Sequence, residues 1–132
     1  MKYVWISSSQ NKDKFPDNQW YDFRVELPKE LIFKDCCECA LLSFDVNPLF
    51  QLEVNIFCDL LEENCFGNNL APYLNTVDQV PYRYQNLTFV KVLHTTIKTF
   101  RIYIKSMFSN SIPSESIGES SLLLVFRDFN DN

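Results

Sequence analysis

The sequence has a single histidine, His94, and no run of the about 20 apolar residues that a membrane-spanning helix needs. Each lack excludes something. With one histidine, Cys–His or Ser–His catalysis would have to use His94, and Val92-Leu93-His94-Thr95-Thr96 resembles no nucleophile signature. A cupin-type enzyme, which sets several histidines and a carboxylate around a metal, is excluded on the same count. We expect no enzymatic activity, no catalytic residue, no cofactor and no metal. Residues 1–7, Met-Lys-Tyr-Val-Trp-Ile-Ser, alternate from the start and lack the long apolar core of a signal peptide. The expectation is a soluble protein made in the cytosol, with no membrane span.

Basic clusters are also missing. Twelve Lys and Arg stand against seventeen Asp and Glu, a formal charge of −5, with no basic stripe or arm. Neutralising phosphates needs clustered cations, so no direct contact with nucleic acid is expected. The five cysteines, Cys36, Cys37, Cys39, Cys58 and Cys65, are an odd number in a chain too large to need staples, which predicts reduced thiols. On an extended strand Cys37 and Cys39 share a face while Cys36 points away, so they read as buried apolar positions, with a zinc site as the alternative. Asn86-Leu87-Thr88 matches the glycosylation sequon, which matters only in the secretory pathway, and is read as chance.

What the chain does have is core material. Apolar residues make up 46% and aromatics 15%, chiefly 12 Phe and 6 Tyr, a composition that favours pleated surfaces. At 132 residues without a Pro/Gly/Ser-rich linker, one domain over 1–132 is expected. Residues 2–8 read as a strand, followed by a polar stretch and the turn Phe15-Pro16-Asp17-Asn18. Over 22–27, Phe23, Val25 and Leu27 alternate with Asp22, Arg24 and Glu26, a half-buried strand that Pro28 should stop. Residues 36–46 form a long apolar-rich run, read as the most central strand, and 51–61 another, expected to hairpin with it. Segments 72–77, 87–93, 96–107 and 121–126 supply further strands, about eight in all, with little helix. Eight short strands can make a sandwich, a closed barrel or a jelly roll, and periodicity alone does not choose among them.

Four blocks in order resemble the minor capsid (penton-type) protein of the Polinton/Maverick and adintovirus group. The first is Ser7-Ser8-Ser9, Phe15-Pro16-Asp17-Asn18 and Phe23-Arg24-Val25-Glu26-Leu27-Pro28, similar to a Ser-rich turn, a Pro-Asp-Asn turn and an F-x-V-x-L-P strand. The second, Cys37-Glu38-Cys39-Ala40-Leu41, sits where the family shows W-E-V-A-L. The third is Ile56-Phe57-Cys58-Asp59-Leu60-Leu61 followed by Gly67, Leu70, Pro72 and Leu74. The last pairs Ile102-Tyr103-Ile104 with Ile112-Pro113 as a closing hairpin and ends on Leu122-Leu123-Leu124-Val125-Phe126-Arg127. The resemblance covers nearly the whole chain. It implies an eight-stranded single jelly-roll sandwich of two antiparallel four-stranded sheets. It further implies a homopentamer at icosahedral capsid vertices, beside a double jelly-roll major capsid protein. The implied location is the virion, with synthesis in the host cytosol and assembly in the host nucleus.

The candidate subunit interface is Phe15, Pro16, Asp17, Asn18, Trp20 and Tyr21. The same turn also arises simply because Pro fixes φ while Asp and Asn cap with their side chains. Trp5, Tyr82 and Tyr84 are further aromatic candidates for interface or core. Asp59, Glu62 and Glu63, with Asp45 near by in the expected hairpin, read as a solvated acidic edge or as oxygen ligands for a hard cation. The rival function is a jelly-roll binding module, lectin-like or a receptor-binding head.

Overall fold

The computed structural model describes residues 1–107 and 117–129. These residues hold eleven strands and no helix, and every strand pair is antiparallel. The strands are β1 (Lys2–Ser7), β2 (Asp22–Ile32), β3 (Cys37–Asn47), β4 (Val54–Cys58), β5 (Asn64–Phe66), β6 (Asn69–Ala71), β7 (Tyr73–Val77), β8 (Tyr82–Arg83), β9 (Val90–Val92), β10 (Thr96–Ser106) and β11 (Glu119–Asp128). No helix among the described residues is long and apolar enough to cross a membrane.

One sheet runs β1-β11-β3-β8 with β9 also on β3, five strands in all; the second runs β2-β10-β4-β7; β5 and β6 form a separate hairpin. The pairings nest: β1 with β11, β2 with β10, β3 with β8 and β9, β4 with β7. Both sheets send one face into a single core, an arrangement consistent with a β-sandwich. From the first sheet come Ile6, Leu41, Phe44, Leu122, Leu124 and Phe126, and from the second Phe23, Val25, Ile56, Phe100 and Ile102. The outward faces alternate with these as the period of two requires.

Three ladders carry a register shift, and two of these bear on the sequence reading. In β3, Leu123 pairs with Ser43 but Leu124 pairs with Leu41, leaving Leu42 as an extra residue. The parity of β3 therefore flips: Cys37, Cys39 and Leu41 face the core below the bulge, Phe44 and Val46 above it. The second bulge accommodates Pro28. The strand does not stop there as the sequence predicted; β2 continues to Ile32, because it is an edge strand and its pairing slips between Thr99–Glu26 and Ile97–Leu31. A residue without an N–H is tolerated at such a place. The expected hairpin between β3 and β4 is also absent, since the two strands belong to different sheets. The same holds for β10 and β11, and Ile112 and Pro113 lie outside the described residues.

Two seams close the sides. On one, buried Ser120 donates from Oγ to the Trp20 carbonyl (2.6 Å) and from its N–H to Ser8 Oγ (3.0 Å), tying the start of β2 to β1 and β11. On the other, Leu61 bridges Val92, and the Tyr84 hydroxyl donates to the Thr76 carbonyl, tying β4 and β7 to β8 and β9. β1 and β2 thus share one flank, and β7, β8 and β9 the other.

Candidate functional site

Alternation in β2 turns Asp22, Arg24 and Glu26 away from the core, and alternation in β10 does the same for Arg101, Tyr103 and Lys105. The register then sets Arg101 directly across from Arg24. Two like charges in facing positions repel, so a sheet does not choose this pair for its own stability. Asp22 neutralises one of them, accepting from Arg101 Nε at 2.8 Å and from its terminal nitrogen at 2.7 Å. That two-bond pair, with the guanidinium 4.7 Å over the Tyr103 ring, holds the Arg101 pKa above its ordinary value. Arg24 has no acidic partner among the described residues.

The polar loop between β1 and β2 folds back beside this pair. Asn18, only 4% exposed, donates from Nδ2 to the Arg24 carbonyl (2.9 Å) and accepts the Arg24 N–H at Oδ1 (2.8 Å). Asn11 Oδ1 accepts the Glu26 N–H at 3.0 Å, and Lys14 Nζ reaches Glu26 at 2.5 Å. The loop and the sheet enclose a groove of about 590 Å³, walled by Phe15, Pro16, Asp17 and Tyr21, with Arg24 and Arg101 along it.

Five of the six expected interface residues therefore come together, but in different roles. Pro16 and Asp17 are exposed and Phe15 is half-buried on the groove wall. Asn18 is a buried strut. Tyr21 is half-buried, and its carbonyl accepts the Ile104 N–H at 2.7 Å. Trp20 is not in the groove: at 3% exposure it belongs to the core, its ring edge-on to Tyr21 at 5.6 Å. The two arginines were missed. Alternation marked Arg24 as outward, but only the β2–β10 register brings Arg101 beside it.

No family model, curated protein or solved structure matches the chain.

The rest of the outer surface divides into covered and bare parts. On the second sheet Phe57 stacks on Tyr103 at 5.0 Å and meets Phe66 and Tyr73 edge-on, so the β5–β6 hairpin lids this patch. On the first sheet Leu42, Leu123 and Val125 lie under Leu87 and Phe89, with the Arg127 guanidinium 3.5 Å above the Phe89 ring. Beside that cover, Tyr3 (61% exposed) and Trp5 (66%) are bare, and Trp5 borders a depression of about 330 Å³ with Pro81, Tyr82, Arg83 and Asp45.

Neither groove presents an activated nucleophile. All five cysteines are free thiols; Cys36 and Cys65 are exposed and the other three buried. Burial first, then the neighbouring Asp128, pushes Cys37 up to about 11. Burial pushes Cys58 up to about 12 and Cys39 well above its ordinary value. Near neutral pH these thiols rest protonated, the form that is a poor nucleophile. Among the described residues no group of three or more His, Cys, Asp or Glu side chains is placed to hold a metal ion. In particular Asp45, on β3 in one sheet, does not join Asp59 beyond β4 in the other. The surface offers packing and polar recognition.

Proposed function

We propose that the chain is a single jelly roll and serves as a structural subunit of a virus-type capsid shell, assembling as a homopentamer at the vertices. The observation that carries this is the nested strand order. With β8 and β9 counted as one interrupted strand on β3, and β5–β6 as an insertion, eight strands remain. They run β1-β11-β3-β8/β9 in one sheet and β2-β10-β4-β7 in the other. Consecutive strands cross from sheet to sheet except at β4–β7, which is how a long folded hairpin rolls up into the two Greek keys of a jelly roll. Capsid proteins recur on this architecture, and a shell subunit needs rigid flanks instead of an active site. The collinear resemblance to the penton-type proteins points the same way and adds a double jelly-roll major capsid protein as neighbour.

The test is mass in solution, measured by light scattering as concentration is raised into the millimolar range. A ring of five subunits of 15.6 kDa is the expected species. A chain that stays monomeric throughout overturns the reading.

One observation favours a second reading, a lectin-like or receptor-binding head. The bare Trp5 ring beside Tyr82, Asp45 and Arg83 offers a stacking face with polar groups at its rim. A glycan array probed with monomer, wild type against Trp5→Ala, separates this from the shell reading.

A further inference from the structure

A ring built head to tail needs two different patches, one on each flank, and each patch of one copy must meet the other patch of the next. The arginine groove lies on the flank that β1 and β2 share. Among the described residues its floor carries a facing Arg24–Arg101 pair of which only Arg101 is ion-paired, and the charged lining, Lys14, Arg24 and Arg101 against Asp17 and Asp22, keeps a surplus of one positive charge. Asn18 fixes the backbone N–H and carbonyl of Arg24, so the residue stands on a backbone already held in place. Fixing it in advance lowers the cost of using it in a contact. An acidic group arriving here would relieve a repulsion already present in the fold.

The opposite flank carries such a group. Glu62 and Glu63 follow the Leu61–Val92 bridge, are exposed, and take part in no ion pair among the described residues. The Glu62 N–H donates to the Lys91 carbonyl at 2.9 Å, which fixes this edge against β9. Two carboxylates against the one ammonium of Lys91 leave the edge negative. Next to it Leu93, 58% exposed, is held by its N–H to the Leu60 carbonyl at 2.9 Å. An apolar side chain flanks the acids, as Phe15 and Tyr21 flank the arginines. Within one molecule Asp59, at the near end of this segment, accepts the Arg101 N–H at 2.9 Å, but Glu62 and Glu63 themselves make no ion pair with Arg24 or Arg101 among the described residues.

We propose that the groove over Arg24 and Arg101 is the receiving half of the subunit contact, and that its occupant is the Glu62-Glu63 edge of a second copy of this chain. The proposal rests on the ring-forming reading given above. Exposed ion pairs contribute little singly, but one placed in a groove and repeated at every joint of a closed ring sets the direction and register of assembly.

Charge reversal tests it. Arg24→Glu is expected to raise the concentration at half-assembly at least tenfold, and Glu62→Arg with Glu63→Arg to do the same. The combined variant, with both signs exchanged, is expected to recover most of the loss. Arg24→Ala should act in the same direction with a smaller shift. Unfolding midpoints of the monomers control for folding, since all three side chains are exposed. A wild-type ring that tolerates Arg24→Glu overturns this contact and leaves the ring reading standing. A ring that Arg24→Glu weakens but the combined variant does not restore overturns the named occupant. A wild-type chain that is monomeric at every concentration overturns the ring reading and the contact with it.

Discussion

β1 and β2 sit on the same flank of the molecule, each at the edge of its sheet, yet their free edges are treated differently. An edge strand presents unpaired N–H and C=O groups that invite pairing with another chain. On β2 these groups are taken up: Arg24 by the Asn18 amide at both ends, Glu26 by Asn11. On β1 the Ser8 N–H reaches back to Ser120 in β11, and the Ser7 N–H points the other way, to Gln10 Oε1. Parity then turns the backbone of Tyr3 and Trp5 outward as well, where no neighbouring strand lies among the described residues. One loop, 8–19, leaves β1 and covers β2. The lesson is that polar side chains in a connection can finish a sheet edge as completely as a strand does, and that they do so here for one edge only.

The two tryptophans of this flank differ most. Trp20 anchors the end of the covering loop at 3% exposure, whereas Trp5 stands out from β1 at 66%. Trp20→Ala is expected to cost about 3–5 kcal/mol, the range for large aromatics removed from a core. Trp5→Ala should stay within about 0.5 kcal/mol, as for a surface change away from special features. Urea unfolding of the two variants checks this; equal losses would mean that β1 is not bare.

Asn18 comes next. Replacing it with Ala leaves the Arg24 N–H and carbonyl without their partner beneath a loop, which is expected to cost about 1–3 kcal/mol. Hydrogen exchange gives the same contrast without mutation. The Arg24 and Glu26 amides should exchange slowly and those of Tyr3 and Trp5 fast, and Asn18→Ala should bring Arg24 towards the fast class. Asn11→Ala removes one acceptor from a half-buried position and is expected to cost about 1 kcal/mol by the same unfolding measurement.

Much of this flank was legible in the residues, and the limits are physical. The alternation of Phe23, Val25 and Leu27 fixed the faces of β2, because one buried side demands a period of two. The end of β2 was misread at Pro28, since proline forbids a central strand and permits an edge, and edge status is a property of the whole sheet. The turn Phe15-Pro16-Asp17-Asn18 was found, but not that Asn18 is a strut; side-chain capping needs the partner backbone, which arrives from six residues further on. Arg24 facing Arg101 depends on a register between strands far apart in the chain, and no local pattern encodes it. The β3–β4 hairpin failed for a related reason. Sequence neighbours pair by default, whereas here the partners are nested.

The smallest effect concerns the outer rim of the covered edge, where Lys14 in the loop meets Glu26 on β2. The hydrogen bond from Lys14 and its charge, helped by Lys98, outweigh desolvation and hold the Glu26 carboxyl below its ordinary value of 4.5. A lowered carboxyl pKa means that the folded state binds its proton less readily than the unfolded chain. The contribution to stability is therefore present above the unfolded value and is lost as pH falls through the lower folded value. Both side chains reach solvent, 54% for Lys14 and 30% for Glu26, so screening keeps the contribution small. Titration of the Glu26 carboxyl by NMR should give a pKa below 4.5 that returns towards 4.5 in Lys14→Ala and in high salt. No matching shift is expected along β1, which has no carboxylate to report one. If Lys14→Ala leaves the Glu26 titration unchanged, the loop covers β2 through its asparagines alone.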